Sequence, residues 1–285
     1  MVLRPWPHGP GARRHVSSGS VQPTITIITP SFNQGRFIER TITSVLDQGY
    51  EKLEYFVVAG GSTDGSVEII RRYEDDLAWW VSEPDGGQTE AINKGLRRAT
   101  GDIVAFINSD DHYLPGAFEK VVALFERTGA RWIVGACRYV FEDGSLMEVW
   151  EPELPTSPRH LWIIGPVGWP QASTFWRRDV FEEFGMFRQD MHYIFDTEFG
   201  LRLALAGVMP VISDDELAVR LWHEAAKSWD RRPAQREELL LLRLHLRALS
   251  HFERFRFLAP AMAKRLGLNR LGTRPRIRRL HRREH

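Results

Sequence analysis

The sequence predicts an α/β protein with a mostly parallel central sheet flanked by helices. Between about residues 24 and 130, short β-branched or apolar runs alternate with segments whose apolar residues recur at helical spacing. Such alternation favours right-handed strand–helix–strand crossovers, which place successive strands parallel. In addition, a polar cluster directly follows each of the predicted strands in this region, as expected where strand ends meet a ligand site.

The first half of the chain contains the regular part of this pattern. Its opening strand is a β-branched run that ends at Pro30, and the next segment places its apolar residues on one helical face until Gly49. The predicted elements are strands at Thr24–Thr29, Leu53–Val58, Trp79–Val81 and Ile103–Ile107, and helices at 37–46, Ser66–Tyr73, Thr89–Arg98 and Pro115–Arg127.

The pattern is less regular after about residue 130. Strands are predicted at Trp132–Cys137, Leu146–Trp150 and Leu217–Trp222, and helices at Ile194–Ala206 and 234–257. The segment His160–Trp176 is aromatic and rich in Gly and Pro. Residues 1–22 are rich in Pro, Gly, Arg and Ser without an apolar period, which predicts a disordered lead-in.

The composition is ordinary for a soluble globular protein, with 43% apolar and 26% charged residues. At 285 residues the chain has the length of one large domain or two small ones. It contains no apolar run long enough to predict a membrane span and no apolar core of a signal peptide. The single cysteine, Cys137, cannot form an internal disulfide, which fits a reducing compartment and predicts a cytoplasmic protein.

The formal net charge of +1 conceals a basic C-terminal tail. From Lys264 to His285 there are nine Lys or Arg residues and one Glu, so the rest of the chain has 29 basic and 36 acidic residues. The tail is interpreted as a flexible solvated end or as a segment that binds anionic lipid head groups. Nucleic-acid binding is not expected, because no recognised module accompanies the charge.

The cluster Asn108-Ser109-Asp110-Asp111 directly follows a predicted buried strand. A carboxylate there is placed to hold Mg²⁺ or Mn²⁺, hard cations that prefer oxygen ligands and share phosphate oxygens with their substrates. The cation would neutralise charge on a diphosphate leaving group. The alternative is that Asp110 and Asp111 cap the next helix or solvate a turn, since Asp is common in turns.

A second cluster, Glu83–Gln88, runs into a helix that contains Asn93-Lys94-Gly95. Its glycines let the backbone approach a ligand closely, and the following helix N-terminus favours anionic oxygens. Lys94 would add a positive charge for a phosphate. The alternative is a β-turn followed by a solvated helix face, and this cluster alone favours it.

Taken in order, these clusters resemble those of the family 2 glycosyltransferases, which have the GT-A fold. The matching segments are Thr29–Asn33, Gly60–Ser66, Asp85–Gln88, and Gly101-Asp102 leading through a strand to Asn108–Asp111. The resemblance is strong over residues 24–130 and weaker to about residue 230. No single motif is decisive, but the ordered set is specific.

The resemblance implies a nucleotide-sugar donor site in the first half. It assigns Pro30, Ser31, Asn33 and Asp64 to the nucleotide pocket and places Asp85 and Gln88 near the donor. Lys94, Asn108, Ser109 and Asp110 complete the expected donor site, and Asp110, the last acid of an Asp-x-Asp motif, is the first candidate metal ligand. Two residues depart from the family. Ala59 stands where many members carry an acid that touches the base or ribose, and Asn108 replaces the motif's first Asp.

In the second half, Asp196 matches the family acid that deprotonates the acceptor hydroxyl. A positioned base contributes roughly 10²–10⁴-fold to such a reaction. The alternative for Asp196 is a helix N-cap, a role that Asp fills well, and Glu198 is the second candidate base. His223 lies in a segment that resembles the closing part of some members and is a second candidate metal ligand, although most single histidines are structural or exposed.

The acceptor side is expected near Gln171, which lies in a matching family segment. Three nearby tryptophans are candidates for stacking on sugar rings or, equally, for core packing, namely Trp162, Trp169 and Trp176.

The expected activity is transfer of a sugar, with inversion, from a nucleotide-diphosphate sugar to a hydroxyl of a glycan or lipid-linked acceptor, as in cell-surface polysaccharide synthesis. Residues 23–130 would form the nucleotide-sugar half and residues 131–230 the acceptor-side half of one domain. Residues 231–285 would form a C-terminal helix and a basic tail at the inner face of the membrane.

Three other function classes compete with this one. A non-catalytic binding member of the same fold stays open because of Ala59 and Asn108. A sugar nucleotidyltransferase and a nicotinamide dehydrogenase are disfavoured, since Pro30–Gln34 stands where each carries a Gly-rich loop.

Overall fold

A computed structural model describes residues 22–152, 169–224, 226–227 and 232–247. The described strands are β1 (Ile25–Ser31), β2 (Leu53–Ala59), β3 (Trp79–Ser82), β4 (Ile103–Phe106), β5 (His112–Tyr113), β6 (Trp132–Phe141), β7 (Leu146–Trp150), β8 (Thr174–Arg177) and β9 (Val211–Trp222). The described helices are α1 (Ile38–Leu46), α2 (Ser66–Arg71), α3 (Gln88–Leu96), α4 (Ala117–Thr128), α5 (Arg178–Phe184), α6 (Phe195–Leu205) and α7 (Arg232–Arg247).

The described strands form one sheet in the order β3-β2-β1-β4-β8-β6-β9-β5, with β7 paired to β6. The first four strands of this order are parallel, with Ile25 opposite both Leu53 and Ile103. Their carboxyl ends therefore lie at one edge, where the polar clusters of the sequence follow them. The α/β class is confirmed, and the predicted elements of the first half agree with the structure to within two residues at each end.

The second half of the sheet is mixed. Strand β8 joins β4 to β6 by antiparallel pairing on both sides, whereas β6 and β9 are parallel. Strands β6 and β9 are longer than predicted, and β5, β8 and α5 were not predicted. Strand β5 has only two residues, and β8 lies at the end of the aromatic segment that is rich in Gly and Pro, so their pairing partners rather than a local pattern define them.

Buried side chains cover both faces of the sheet. One face packs against α1 and α4 through residues such as Ile42 and Val121, and the other packs against α3 and α6 through Ile92 and Phe199. This two-sided burial explains why β1 is apolar or β-branched without alternation up to Pro30.

Buried polar contacts connect α3 to the segment that precedes α6. The Asn93 side chain donates to Phe187 O at 2.8 Å and accepts from Phe187 N–H at 3.2 Å. Thr89 Oγ1 donates to Met191 O at 2.9 Å. Because buried backbone groups need partners, these bonds fix the start of α6 relative to the first half of the sheet.

The N-terminal part of α7 packs on the α6 side of the core through Ala234 and Leu241. The predicted lead-in up to residue 21, the predicted helix beyond residue 247 and the basic tail from Lys264 lie outside the described residues. Within the described ranges, no helix is both long and apolar enough to cross a membrane.

Candidate active site

A cavity of about 840 Å³ opens at the carboxyl edge of the sheet and extends toward β6, β7 and β9. Eight of the predicted site residues line it, namely Pro30, Ser31, Asp85, Gln88, Asn108, Ser109, Asp110 and Asp196. Four other predicted residues are not part of its lining, namely Asn33, Asp64, Lys94 and His223. The structure therefore brings the strand-end clusters of the first half together with Asp196 of α6.

Asn33 and Asp64 connect the loops after β1 and β2. Thr63 N–H donates to Asn33 Oδ1 at 3.0 Å, and Gly35 N–H donates to Asp64 Oδ2 at 2.7 Å. Burial alone would raise the pKa of Asp64, but hydrogen bonds from Ser66 and Gly35 outweigh it and hold the pKa below its ordinary value. These two side chains fix the shape of the pocket wall by bridging its loops.

Asp85 lies beside the end of β2. A Cβ placed on Gly60 would be 3.0 Å from Asp85 Oδ1, so this carboxylate packs closely against the glycine. Gly87 N–H donates to the same oxygen at 2.8 Å. Asp85 therefore presents an acid next to Ala59, the position where the family often carries one.

Lys94 is held away from the cavity by acidic neighbours. Its ammonium lies 2.9 Å from Glu83 and 3.8 Å from Glu90, and its side chain is only 16% exposed. The role of Lys94 in donor binding stays a prediction, and its observed contacts stabilise the loop between β3 and α3.

Asn108 connects the two sides of the cavity. Its Oδ1 accepts from Gln88 Nε2 at 2.6 Å, and its Nδ2 donates to Asp111 at 3.3 Å and to Gln171 at 3.2 Å. Gln171 in turn donates to Phe106 O at 2.7 Å. The amide that replaces the acid of the family motif therefore links α3, the strand-end cluster and the segment before β8.

Asp110 and His223 form the candidate metal site. Asp110 Oδ2 and His223 Nε2 are 3.1 Å apart, although the residues are 113 positions apart in sequence. Neighbouring ligands of an octahedral ion with bonds of 2.0–2.1 Å are about 3 Å apart, so the spacing suits Mg²⁺ or Mn²⁺. Among the described residues no group of three or more acidic, His or Cys side chains surrounds this point. An ion here would need further ligands, such as diphosphate oxygens or water.

The imidazole of His223 is buried, and its ring lies 4.6 Å from that of Phe37. Its Nδ1 has no hydrogen-bond partner within the described ranges. A buried imidazole is costly unless its nitrogens have partners. Its other nitrogen, Nε2, has Asp110 Oδ2 as its partner and is the one that faces the candidate metal site.

Asp111 is buried behind the metal site. Leu221 N–H donates to its Oδ1 at 3.2 Å, which joins the strand-end cluster to β9. Burial, reinforced by the negative charge of Asp110, raises the pKa of Asp111 far above its ordinary value, although Arg220 acts in the opposite direction. This contact aligns β9 so that His223 faces Asp110.

Asp196 lies in the first turn of α6, whereas the N-cap position is Ile194. Its Oδ1 accepts from Thr197 N–H at 2.7 Å, and the residue lines the cavity. Burial raises the pKa of Asp196, an effect that the Thr197 bond and the charge of Arg220 only partly oppose. A raised pKa makes the carboxylate a stronger base. Glu198, the second candidate, is buried against Arg202 and does not line the cavity.

Two residues near the end of the described chain complete the site. Lys227 Nζ donates to Gln88 Oε1 at 3.0 Å and also to His192 O. Glu237 of α7 accepts from the backbone N–H groups of His192, Tyr193 and Ile194 at 2.8, 2.8 and 3.1 Å. Lys227, like His223, lies in the part of the sequence that resembles the closing segment of some family members, whereas no local pattern in the sequence indicated Glu237.

The tryptophans near the cavity differ from those suggested by the sequence. Trp176 is buried against Phe106, and Trp169 packs on Trp132, so both belong to the core. Trp162 lies outside the described residues. The cavity is lined instead by Trp150 and Trp222, which no local pattern singles out, because the pairing of β7 and β9 with β6 places them on the cavity face.

Comparison with known proteins supports the fold and shows the family. The family model described as glycosyl transferase family 2 matches residues 26–193. The chain is 34% identical over 188 residues to the uncharacterized glycosyltransferase Rv1514c of Mycobacterium tuberculosis, covering 64% of this chain and 70% of that protein. It is 38% identical over 130 residues to the putative teichuronic acid biosynthesis glycosyltransferase TuaG of Bacillus subtilis, covering 44% and 48%.

Solved structures with the same fold include two glycosyltransferase complexes. The structure of S. aureus TarS 1-349 with UDP-GlcNAc has a TM-score of 0.67 at 17% identity, covering 86% of this chain and 73% of that chain. The mannosyltransferase PcManGT from Pyrobaculum calidifontis, with GDP-Man and Mn²⁺, has a TM-score of 0.59 at 23% identity, covering 90% and 78%. The fold is GT-A, and because the family model spans more than half of the sequence, the chain belongs to glycosyl transferase family 2.

Proposed function

We propose that this protein transfers a sugar from a nucleotide-diphosphate sugar to a hydroxyl of a glycan or lipid-linked acceptor, with inversion at the anomeric carbon. The observation that carries the proposal is the position of Asp110, paired with His223, and of Asp196 on one cavity. A leaving-group site and a base are the two parts that such a displacement requires.

The donor would bind along the carboxyl edge of the first four strands. Phe32, next to Ser31, is 62% exposed and lines the cavity, so it offers an aromatic face to a base. Asp85 would accept from the base or ribose in place of the acid missing at Ala59. Donors of this class are bound by the structural neighbours, UDP-GlcNAc by TarS and GDP-Man by PcManGT.

Asp110 and His223 would hold Mg²⁺ or Mn²⁺ together with diphosphate oxygens of the donor. When bound, the ion acts as a Lewis acid that stabilises negative charge on the leaving diphosphate. Lys227, already within hydrogen-bond distance of Gln88, would add a positive charge on the same side. Of the two neighbours named above, PcManGT contains Mn²⁺ with its donor.

Asp196 would accept the proton of the attacking hydroxyl. The acceptor oxygen then forms its bond to the anomeric carbon, while the bond from that carbon to the phosphate oxygen breaks and the nucleoside diphosphate leaves with the electron pair. Attack from the face opposite the diphosphate inverts the anomeric configuration. The raised pKa of Asp196 supports this role, since a more basic carboxylate accepts the proton more readily.

The biological setting we propose is cell-surface polysaccharide synthesis at the inner face of the membrane. One relative is described as a teichuronic acid biosynthesis glycosyltransferase, which supports a cell-envelope product. The basic tail from Lys264 would bring the protein to anionic lipids, each Lys or Arg near such a surface contributing about 1 kcal/mol. The rival proposal is a non-catalytic binding member, which Ala59 and the engaged amide of Asn108 favour.

Titration calorimetry with UDP, GDP and dTDP, with and without Mn²⁺, tests the donor site. We expect one nucleotide to bind wild-type protein only with Mn²⁺, and we expect this Mn²⁺-promoted binding to be lost in Asp110→Ala. Asp75→Ala, an exposed Asp far from the cavity lining, is the matched control and should bind as wild type does. Absence of nucleotide binding by wild-type protein under every metal condition would overturn the proposal.

The matching nucleotide sugar then separates the enzyme from the non-catalytic alternative. We expect release of nucleoside diphosphate by wild-type protein, and in Asp196→Asn a loss of turnover of roughly 10²–10⁴-fold with unchanged donor affinity. The anomeric configuration of the product, read by proton NMR, decides inversion or retention. Binding without turnover would establish the non-catalytic alternative.

A further inference from the structure

One face of the β7–β6–β9 sheet lines the far side of the cavity. Tyr139 of β6 lies opposite Glu148 of β7 and Arg220 of β9, so these three side chains form one cross-strand row. In the flanking rows, Trp150 lies opposite Cys137 and Trp222 lies opposite Phe141. We name the half-buried members of this face, Glu148, Trp150, Arg220 and Trp222, the acceptor floor.

A buried tyrosine supports the acceptor floor from below. Tyr139 is buried beneath it, with its ring 6.0 Å from that of Trp150 and 5.5 Å from the guanidinium of Arg220. Arg220 Nη1 also donates to Tyr139 Oη at 3.5 Å. Three adjacent strands are about 10 Å wide, which is enough to place a sugar ring across the row.

The chemistry of this surface suits a carbohydrate. Indole rings offer flat apolar faces with a polar N–H, and they match the apolar face of a pyranose ring. The carboxylate of Glu148 accepts from hydroxyl groups, and the guanidinium of Arg220 donates to ring or hydroxyl oxygens. A mostly apolar wall with a few oriented polar groups is the usual composition of a small-molecule site.

The floor and Asp196 line one cavity. The donor residues come from the ends of β1 to β4 and the loops that follow them, whereas the floor comes from β7, β6 and β9. Arg220 lines the same cavity as Asp196, and its positive charge acts to lower the pKa of that carboxyl group. A ring lying on the floor therefore has its hydroxyl groups near the group that would accept their proton.

We propose that the acceptor floor binds a pyranose ring of the acceptor glycan and selects which hydroxyl group meets Asp196; this inference rests on the proposed function. Glu148 and Trp150 are specificity-determining residues of the transfer. Substrate recognition by the protein thus includes the sugar to which the new unit is added.

Saturation-transfer NMR with a panel of methyl pyranosides tests this inference, in the presence and absence of the nucleoside diphosphate and Mn²⁺. We expect at least one glycoside to bind wild-type protein and to bind about tenfold more weakly to Glu148→Gln and Trp150→Leu. The affinity for the nucleotide should stay unchanged. Glu216→Gln is the matched control, because Glu216 pairs with Arg138 on the solvent side of the same sheet.

The outcomes separate this inference from the proposed function. Equal glycoside binding by wild type and Glu148→Gln would overturn the inference even if Trp150→Leu fails to fold. A weakened nucleotide affinity in Glu148→Gln would assign the floor to the donor, and failure of every glycoside to bind while the nucleotide binds would also overturn it. Failure of the nucleotide to bind overturns the proposed function, while glycoside binding, which is measured independently, still tests whether the floor is a carbohydrate site.

Discussion

Asp196 shares its part of the cavity with Arg220, whose positive charge opposes the effect of burial on the carboxylate. Burial is the larger influence, so the pKa of Asp196 lies above its ordinary value. A base must be unprotonated to act, and activity should therefore fall as pH decreases through this raised pKa.

The acid limb of the kcat–pH profile is the range in which kcat falls as pH decreases. Arg220→Met should move this acid limb to higher pH. Removing the positive charge disfavours the carboxylate form of Asp196 and raises its pKa further. Arg220→Lys retains the charge and should leave the acid limb closer to its wild-type position. The measurement is the pH dependence of nucleoside diphosphate release at saturating nucleotide sugar. An acid limb at the same pH in Arg220→Met and wild type would mean that Asp196 is not the titrating base.

At the scale of secondary-structure elements, Gly95 sets how closely α3 approaches the sheet. A Cβ at this position would be 2.7 Å from Ile28 Cγ2 and 2.9 Å from Ile28 Cδ1 of β1. The close approach keeps Asn93 and Thr89 within bonding distance of the segment before α6. A helix glycine ordinarily destabilises relative to alanine by about 1 kcal/mol, so here packing outweighs helix propensity.

Gly95→Ala should therefore lower the free energy of unfolding by about 1–3 kcal/mol, as overpacking does. In an Ile28→Ala background the same substitution should become stabilising, because the obstructing atoms are gone and only the propensity gain of about 1 kcal/mol remains. Denaturant unfolding of the four proteins of this double-mutant cycle measures both effects. The same sign for Gly95→Ala in both backgrounds would show that contact with Ile28 does not set the position of α3.

Glu237 joins α7 to the start of the helix that carries Asp196. A glutamine at this position would offer one acceptor oxygen and turn an NH₂ group toward three backbone donors. We expect Glu237→Gln to lower kcat by about tenfold, since small displacements of a reacting group are costly. Donor affinity should stay unchanged. Arg236→Ala, an exposed neighbour on α7, should retain wild-type kcat, and an equal kcat in Glu237→Gln would exclude a positioning role.

At the scale of the whole molecule, charge is unevenly distributed along the chain. Residues before Lys264 have a net charge of −7, whereas the tail from Lys264 is strongly basic. The protein should sediment with vesicles that contain anionic lipid and not with neutral vesicles, and added salt should release it because it screens such attraction. A variant that ends at residue 263 should stay in the supernatant. Sedimentation of that variant to the same extent would assign membrane binding to another part of the chain.

The whole cavity also depends on both halves of the chain. One side of the cavity lies at the ends of parallel strands of the first half, and the other side lies on α6 and on β6, β7 and β9, which belong to the same sheet. The division into residues 23–130 and 131–230 stays a proposal. The bonds of Asn108 to Gln88 and Gln171 show how one side chain spans the two regions.

The sequence by itself determined the α/β class, the elements of the first half, and the candidates Asp110 and Asp196. Hydrophobic periodicity is a local property, and polar clusters at strand ends mark the ligand edge of a parallel sheet before any contact is known. Local patterns alone did not assign a role to Asp196, because the proposal that it acts as the base came from the family resemblance.

Only the tertiary structure decided which distant residues meet. His223 faces Asp110, Glu237 binds the backbone before α6, and Glu83 with Glu90 holds Lys94. Trp150 and Trp222, rather than Trp169 and Trp176, line the cavity because the register of β7, β6 and β9 turns them toward it. Strand register and helix docking are set by the packing of the whole chain, and a shift of one residue would turn each of these side chains to the opposite face.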